Sequence, residues 1–224
     1  MSLEWASFAV RLDGPRNKTG YGGDERALRE GTVYHSMDGT LSYALEMLAN
    51  PALAKSWTFS NPKRGRLIQH YAVGKHAWGA GSKDANEKFV SCENEGGGPG
   101  IESEPLTQSQ IDNLVDLTVW LYTTQEWTTL TRRITLWEHK ELQRFGSRAT
   151  ACPSDRIPWS IIIAEAEKII NVEDDMPTEK ELENRAKADA IFGTAAAHIR
   201  QGRVPPETLR GQLQWLLAVW KAQN

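Results

Sequence analysis

The chain has five histidines and two cysteines, and three of these seven side chains fall where a fold can present them. His35 closes the β-prone run Gly31-Thr32-Val33-Tyr34-His35, and His139 closes Arg133-Ile134-Thr135-Leu136-Trp137-Glu138-His139; both runs read as strands. Cys152 sits in Thr150-Ala151-Cys152-Pro153-Ser154-Asp155, a turn-forming stretch without periodicity. Two imidazoles and one thiolate give Zn²⁺ three nitrogen or sulfur ligands and leave a fourth position for water, the arrangement of a catalytic rather than a structural site. The first two ligands are about a hundred residues apart, so spacing alone leaves three unrelated polar residues as the alternative. Cys92 belongs to the apolar-alternating run Lys88-Phe89-Val90-Ser91-Cys92-Glu93 and reads as a small buried residue, so no disulfide is expected. His70 alternates with Ile68 along a strand, and His198 lies in a helical segment; neither reads as part of a site.

The elements that must position these residues alternate in type. Ser36-Met37-Asp38-Gly39 turns the first strand into a helix with Leu41, Ala44, Leu45 and Leu48 on one face, stopped at Asn50-Pro51. Ser56 to Ser60 and Arg66 to Tyr71 flank Asn61-Pro62-Lys63-Arg64-Gly65 and predict a hairpin. A glycine-rich stretch, His76 to Gly81, leads to the strand ending at Glu93, and Gly96-Gly97-Gly98-Pro99-Gly100 reads as a surface loop. Thr107 with Gln110 is a capping-box signature for a helix that places Ile111, Leu114, Val115, Thr118 and Tyr122 on one side. Strands mixed with helices predict an α/β fold, a central mixed β-sheet flanked by helices, with a C-terminal helical extension.

Residues 1–29 are polar and glycine-bearing and read as an extended lead-in, residues 30–172 as the main domain, and residues 173–224 as a helical tail. Trp159 to Ile170 is helical and Asn171 to Thr178 an acidic linker; the last helix carries Leu209, Leu213, Leu216 and Trp220 on one stripe. That stripe fits packing on the main domain or on another subunit, and a monomer is favoured. The net charge of −3 over 224 residues argues against a nucleic-acid binder working through a general basic surface. No apolar run approaches the ~20 residues of a membrane span, so stable membrane insertion is not expected. Met1 to Arg16 lacks the pattern of a secretion signal. Nine tryptophans suggest bulky core packing or a surface that stacks on sugar rings.

Several strings together resemble the N-acetylmuramoyl-L-alanine amidase type 2 family, which includes phage endolysins and the peptidoglycan recognition proteins. They are Val33 to Gly39, Ser56-Trp57-Thr58-Phe59 with Gly65 to Tyr71, His76-Ala77-Trp78-Gly79-Ala80-Gly81, and Val90 to Gly96. The Gln110 helix, Trp137-Glu138-His139 and Ala151-Cys152-Pro153 continue the match, in family order, over about residues 30 to 170. The resemblance implies a zinc-dependent hydrolase that cuts the amide bond between N-acetylmuramic acid and L-alanine in bacterial peptidoglycan. It implies that His35, His139 and Cys152 bind Zn²⁺, that Glu93 moves protons as general base and acid, and that Thr150 contacts the substrate carbonyl or its oxyanion. Glu95, two positions on, points to the same face as Glu93 and is the alternative base. His76, Trp78 and Trp57 lie in segments that would border the cleft. Where many members carry a tyrosine and a histidine this chain has Trp57 and Thr58, and Gly79 replaces a histidine found in others.

The alternative within the same family is a peptidoglycan-binding protein that does not cut. Such proteins typically lack a zinc ligand, and all three are present here. The missing secretion signal fits a phage endolysin, held in the host cytoplasm before lysis and acting afterwards on the cell wall.

Overall fold

A computed structural model describes residues 5–20 and 28–175. The chain divides into two compact units, Met1–Ile163 and Ala164–Asn224, and everything that bears on the site lies in the first. In chain order that unit contains β1 (Val10–Arg11), β2 (Gly31–Ser36), α1 (Leu41–Ala49), β3 (Phe59–Asn61), β4 (Ile68–Gln69), α2 (Lys83–Lys88), β5 (Phe89–Asn94), α3 (Gln108–Thr124) and β6 (Leu136–Glu138). α4 (Trp159–Asp175) begins in it.

The six strands form one mixed sheet in the order β1-β4-β3-β5-β2-β6. β5, β2 and β6 are mutually parallel, β3 runs parallel to β5, and β3 and β4 pair antiparallel as the expected hairpin. The register pairs Tyr34 with Cys92 and His35 with Glu93. Side chains alternate along a strand, so His35 and Glu93 share one face while Tyr34 and Cys92 share the other. On the first face Val33, Phe89 and Trp137 form a core with Ala80, Ala85 and Leu142. On the second, the Tyr34 hydroxyl bonds to Thr118 Oγ1 at 2.7 Å, which docks α3 on the sheet, and Cys92 is fully buried.

α1 starts at Thr40, whose side chain accepts from Tyr43 N, and buries Ala44 and Leu48 against Trp57 and Tyr71. α3 opens with the predicted capping box of Thr107 and Gln110. Its buried face is broader than the sequence pattern implies, taking in Leu117, Val119 and Leu121, because Trp120 also packs edge-on to Phe8 and Phe59. α2 has no counterpart in the sequence reading. It is a six-residue helix capped by Ser82, with Asp84 in its first turn and Lys88 in its last, as the helix dipole favours.

Four expectations need correction. Residues 5–20, expected as an extended lead-in outside the packed structure, are packed: β1 joins the edge of the sheet, and Lys18 is buried, donating to the Met47 and Leu48 carbonyls at the end of α1. The strand expected over Arg133–His139 shrinks to β6, because Arg133 takes a left-handed φ of 63° and the Thr131 carbonyl collects the amides of residues 134 to 136 in a turn. The linker expected from Asn171 is helical as far as Asp175. The loop at 96–100 is not all surface, since Gly96, Gly97 and Gly98 are mostly shielded from solvent. The stripe of Leu209, Leu213, Leu216 and Trp220, His198, and residues 176–224 as a whole lie outside the described residues. Among the described residues no helix is long and apolar enough to cross a membrane.

Candidate metal centre and active site

His35, His139 and Cys152 converge at the C-terminal ends of the parallel strands. His35 is the fifth residue of β2, His139 follows β6 directly, and Cys152 comes from the turn beyond. β2 and β6 are hydrogen-bonded neighbours, so two side chains a hundred residues apart meet with ring centroids 4.6 Å apart. The Cys152 turn is fixed to the same edge, as Lys140 N donates to the Cys152 carbonyl at 2.9 Å and Ser36 N donates to Cys152 Sγ at 3.2 Å. The potential ligand atoms of the three residues all lie within 4.8 Å of one another, with His35 Nδ1 and Cys152 Sγ 3.9 Å apart.

The electrostatics suit a cation. Burial, aided by the neighbouring His139, holds His35 well below the usual histidine range, and burial also lowers His139, so both rings are neutral lone-pair donors at neutral pH. Burial, with Glu93 nearby, pushes the Cys152 thiol up to about 12. A dication bound there would reverse that shift and favour the thiolate as a ligand. The set of two nitrogens and one sulfur is one that Zn²⁺ accepts, and it leaves a coordination position open.

Glu93 stands beside the three, its Oε1 3.8 Å from His35 Nδ1 and its Oε2 buried with no hydrogen-bond partner. Burial raises its carboxyl to about 8, with Lys55 lowering it and Asp38 raising it to smaller extents. Glu95 is occupied elsewhere: its two oxygens accept from Leu41 N at 3.1 Å and Lys63 N at 2.8 Å. Of the two carboxyl groups, that of Glu93 has an oxygen left uncommitted beside the three side chains.

A cavity of about 670 Å³ opens over His35, His139, Cys152 and Glu93. Trp57 and Trp78 line it, as expected, although Trp57 is nearly buried and donates to Ser60 Oγ, which makes it a wall rather than a stacking surface. His76 does not line it; the residue is buried, and its carbonyl is bonded by Gly20 N. Thr150 is also absent from the lining, and its hydroxyl oxygen accepts from Cys152 N at 3.1 Å, which holds the turn that carries Cys152. Gly81 lines it at a φ of +80°, where an added Cβ would come within 3.2 Å of His139 Nε2. Only glycine takes that conformation without strain while leaving room for the ring.

Lys55, Arg148 and Asp38 are exposed charges on the same cavity that the sequence reading missed. Arg148 lies only four residues before Cys152, a proximity that could have drawn attention to it. His70 stays outside the site as expected, buried between Ser60 Oγ and the Leu12 carbonyl.

A family model described as N-acetylmuramoyl-L-alanine amidase matches residues 26–155. No curated protein matches the chain in sequence. Among solved structures, the fold is similar to the Staphylococcus aureus hydrolase AmiA in complex with its ligand, at 14% identity and a TM-score of 0.55, over 73% of this chain and 85% of that one. It is similar to an AmpD derivative at 17% identity and a TM-score of 0.52, over 74% and 98% of the two chains. PlyL matches at 15% identity and a TM-score of 0.51, over 70% and 96%.

Proposed function

Because the chain belongs to the N-acetylmuramoyl-L-alanine amidase family and so to that class of hydrolase, we propose that it is a zinc-dependent enzyme that releases stem peptides from bacterial peptidoglycan in the manner of an endolysin. The observation that carries this reading is the meeting of His35, His139 and Cys152 within 4.8 Å, beside a Glu93 whose Oε2 has no partner. A binding protein of the same fold would need neither a complete ligand set nor an uncommitted carboxylate. Similarity of fold to a mutant endolysin from Bacillus subtilis, at 16% identity and a TM-score of 0.50, supports the endolysin assignment. On that assignment the protein resides in the host cytoplasm before lysis and on the cell wall afterwards.

His35, His139 and Cys152 would hold the zinc ion, which when bound supplies Lewis acidity toward a carbonyl oxygen and toward water. Glu93 Oε2, ionised when a bound cation offsets the burial that raises its carboxyl, would accept the proton of the attacking water and return it to the alanine nitrogen as the amide bond breaks, which keeps the leaving group neutral. Trp57, Trp78 and Met37 wall the cavity and limit water around the scissile bond. Lys55 and Arg148 offer two cations to the free carboxylates of a stem peptide.

The test is digestion of purified cell walls, counting new alanine amino groups, alongside the zinc content of the protein. Wild type should carry about one zinc and release peptide, and Cys152→Ala should lose both. A zinc-free protein that cleaves at the wild-type rate would end this reading.

A further inference from the structure

Arg156 lies one residue beyond the stretch matched by the family model. It is 4% exposed, and its guanidinium is spent almost wholly on main-chain carbonyls. Nε donates to Glu104 O at 2.6 Å and Nη2 to Glu95 O at 2.9 Å, while Nη1 reaches Asn94 O at 3.5 Å and donates to Ser36 Oγ at 2.5 Å. Asn94 and Ser36 are the last residues of β5 and β2, so one side chain ties together the ends of the two strands that carry Glu93 and His35. Ser36 passes the constraint on. Its hydroxyl donates to Gly96 O, and its amide donates to Cys152 Sγ at 3.2 Å. On the other side, Arg156 N donates to the Pro153 carbonyl, inside the ligand turn.

The loop at 96–97 is shaped to admit this group. Gly96 and Gly97 have φ of +103° and +69°; a Cβ on Gly96 would fall 2.7 Å from Arg156 Nη2, and one on Gly97 would fall 2.3 Å from Ser36 Oγ. A buried cation held by carbonyls at the ends of parallel strands, in a glycine corner, costs desolvation and must be offset by what it orders. A guanidinium suits this because its planar fork bonds several carbonyls at once, which an ammonium cannot reproduce.

We propose that Arg156 is a positioning residue for the metal centre, acting through Ser36 to hold Cys152 Sγ in line with His35 and His139. The inference rests on the zinc reading above. Residues that orient ligands in this way commonly change metal affinity by roughly 10- to 100-fold when altered.

The experiment measures zinc affinity by chelator competition for wild type, Arg156→Lys, Ser36→Ala, Lys63→Met and His35→Ala, and records the thiolate-to-metal absorption of the cobalt-substituted proteins. Arg156→Lys should weaken zinc binding by roughly 10-fold or more, and Ser36→Ala should weaken it to a lesser degree. Both should alter the cobalt–thiolate band. Lys63→Met removes an ion pair to Glu104 on the same loop without touching the Ser36 link, and should leave affinity and band unchanged. If Arg156→Lys does not fold, Ser36→Ala decides alone. Wild-type affinity and spectrum in folded Arg156→Lys and Ser36→Ala, or equal weakening in Lys63→Met, would overturn the proposal. Should His35→Ala abolish zinc binding while Arg156→Lys and Ser36→Ala keep wild-type affinity and spectrum, the positioning role fails and the metal site stands. Unimpaired zinc binding by His35→Ala would remove both.

Discussion

Glu93 and Glu95 are two positions apart, and alternation puts them on one side of the chain, so sequence alone leaves either as the base. The structure separates them by what their oxygens already do. Glu95 accepts two backbone amides, whereas Glu93 Oε2 accepts none. Glu93→Gln should therefore retain zinc and lose roughly 10²- to 10⁴-fold in turnover. Glu95→Gln should keep turnover within a few-fold and lose about 1–3 kcal/mol of stability as charge-assisted bonds weaken. Steady-state rates and denaturant melts on the same preparations distinguish these outcomes, and an active, zinc-loaded Glu93→Gln would move the base elsewhere. Arg148 and Thr150 are distinguished by the same reasoning. The threonine hydroxyl holds the ligand turn, and the arginine faces the cavity. Arg148→Ala should raise KM for anionic wall fragments several-fold, an effect that shrinks in high salt, because an exposed cation acts at a distance that salt screens. A KM unchanged at low salt would remove Arg148 from substrate binding. Arg148 and Arg156 escape a sequence reading for opposite reasons: one depends on the path of a loop, and the other bonds mainly carbonyls, which every residue has.

Among the elements, β2, β5 and the α3 capping box were legible because alternation and cap chemistry are local signals. β6 and α2 were not. Arg133 to Leu136 has strand-like composition but is bent by a turn, and a six-residue helix carries too few periods to register. The β3–β4 hairpin was legible, and with it the place of His70, which bridges Ser60 of β3 and the carbonyl of Leu12 just beyond β1. Burial lowers His70 to about 4 from its ordinary 6.5. The unfolded chain therefore binds a proton near pH 6.5 that the folded protein refuses until pH 4. Stability is full above pH 6.5 and declines as pH falls through that window, by about 3 kcal/mol at its lower end from this residue. His70→Gln, compared with wild type at matched metal content, should show a shallower fall in stability between pH 6.5 and pH 4. Identical slopes would mean that His70 is not held neutral. The turn after Trp78 makes a second demand. Gly81→Ala should cost about 1–2 kcal/mol from the left-handed backbone alone, and should weaken zinc binding because the new methyl meets His139 Nε2. Unaltered zinc affinity in that variant would show that the ring accommodates the methyl without leaving its place.

At the scale of the whole molecule, a net charge of −3 says little about a site whose cavity wall carries Lys55 and Arg148. The separation of the ligands is more informative. They come from β2, from the end of β6 and from a turn 117 residues after His35, so a metal ion held by them would close long loops that only the folded chain brings together. An ion that binds the folded state and not the unfolded one stabilises by RT ln(1 + [L]/Kd), about 4 kcal/mol at a thousandfold excess over Kd. For a chain of this length that corresponds to a rise in Tm on the order of 10 °C. Adding zinc to chelator-treated protein should produce such a rise, and EDTA should reverse it. The rise should disappear in Cys152→Ala, because two neutral imidazoles alone hold zinc weakly. It should persist in Glu93→Gln, since that side chain stands beside the three ligands without being one of them. A melting temperature indifferent to zinc in the wild type would mean that the three side chains meet without forming a metal site. A loss of the rise in Glu93→Gln would instead make the carboxylate a fourth ligand, and a different group would then have to carry the proton.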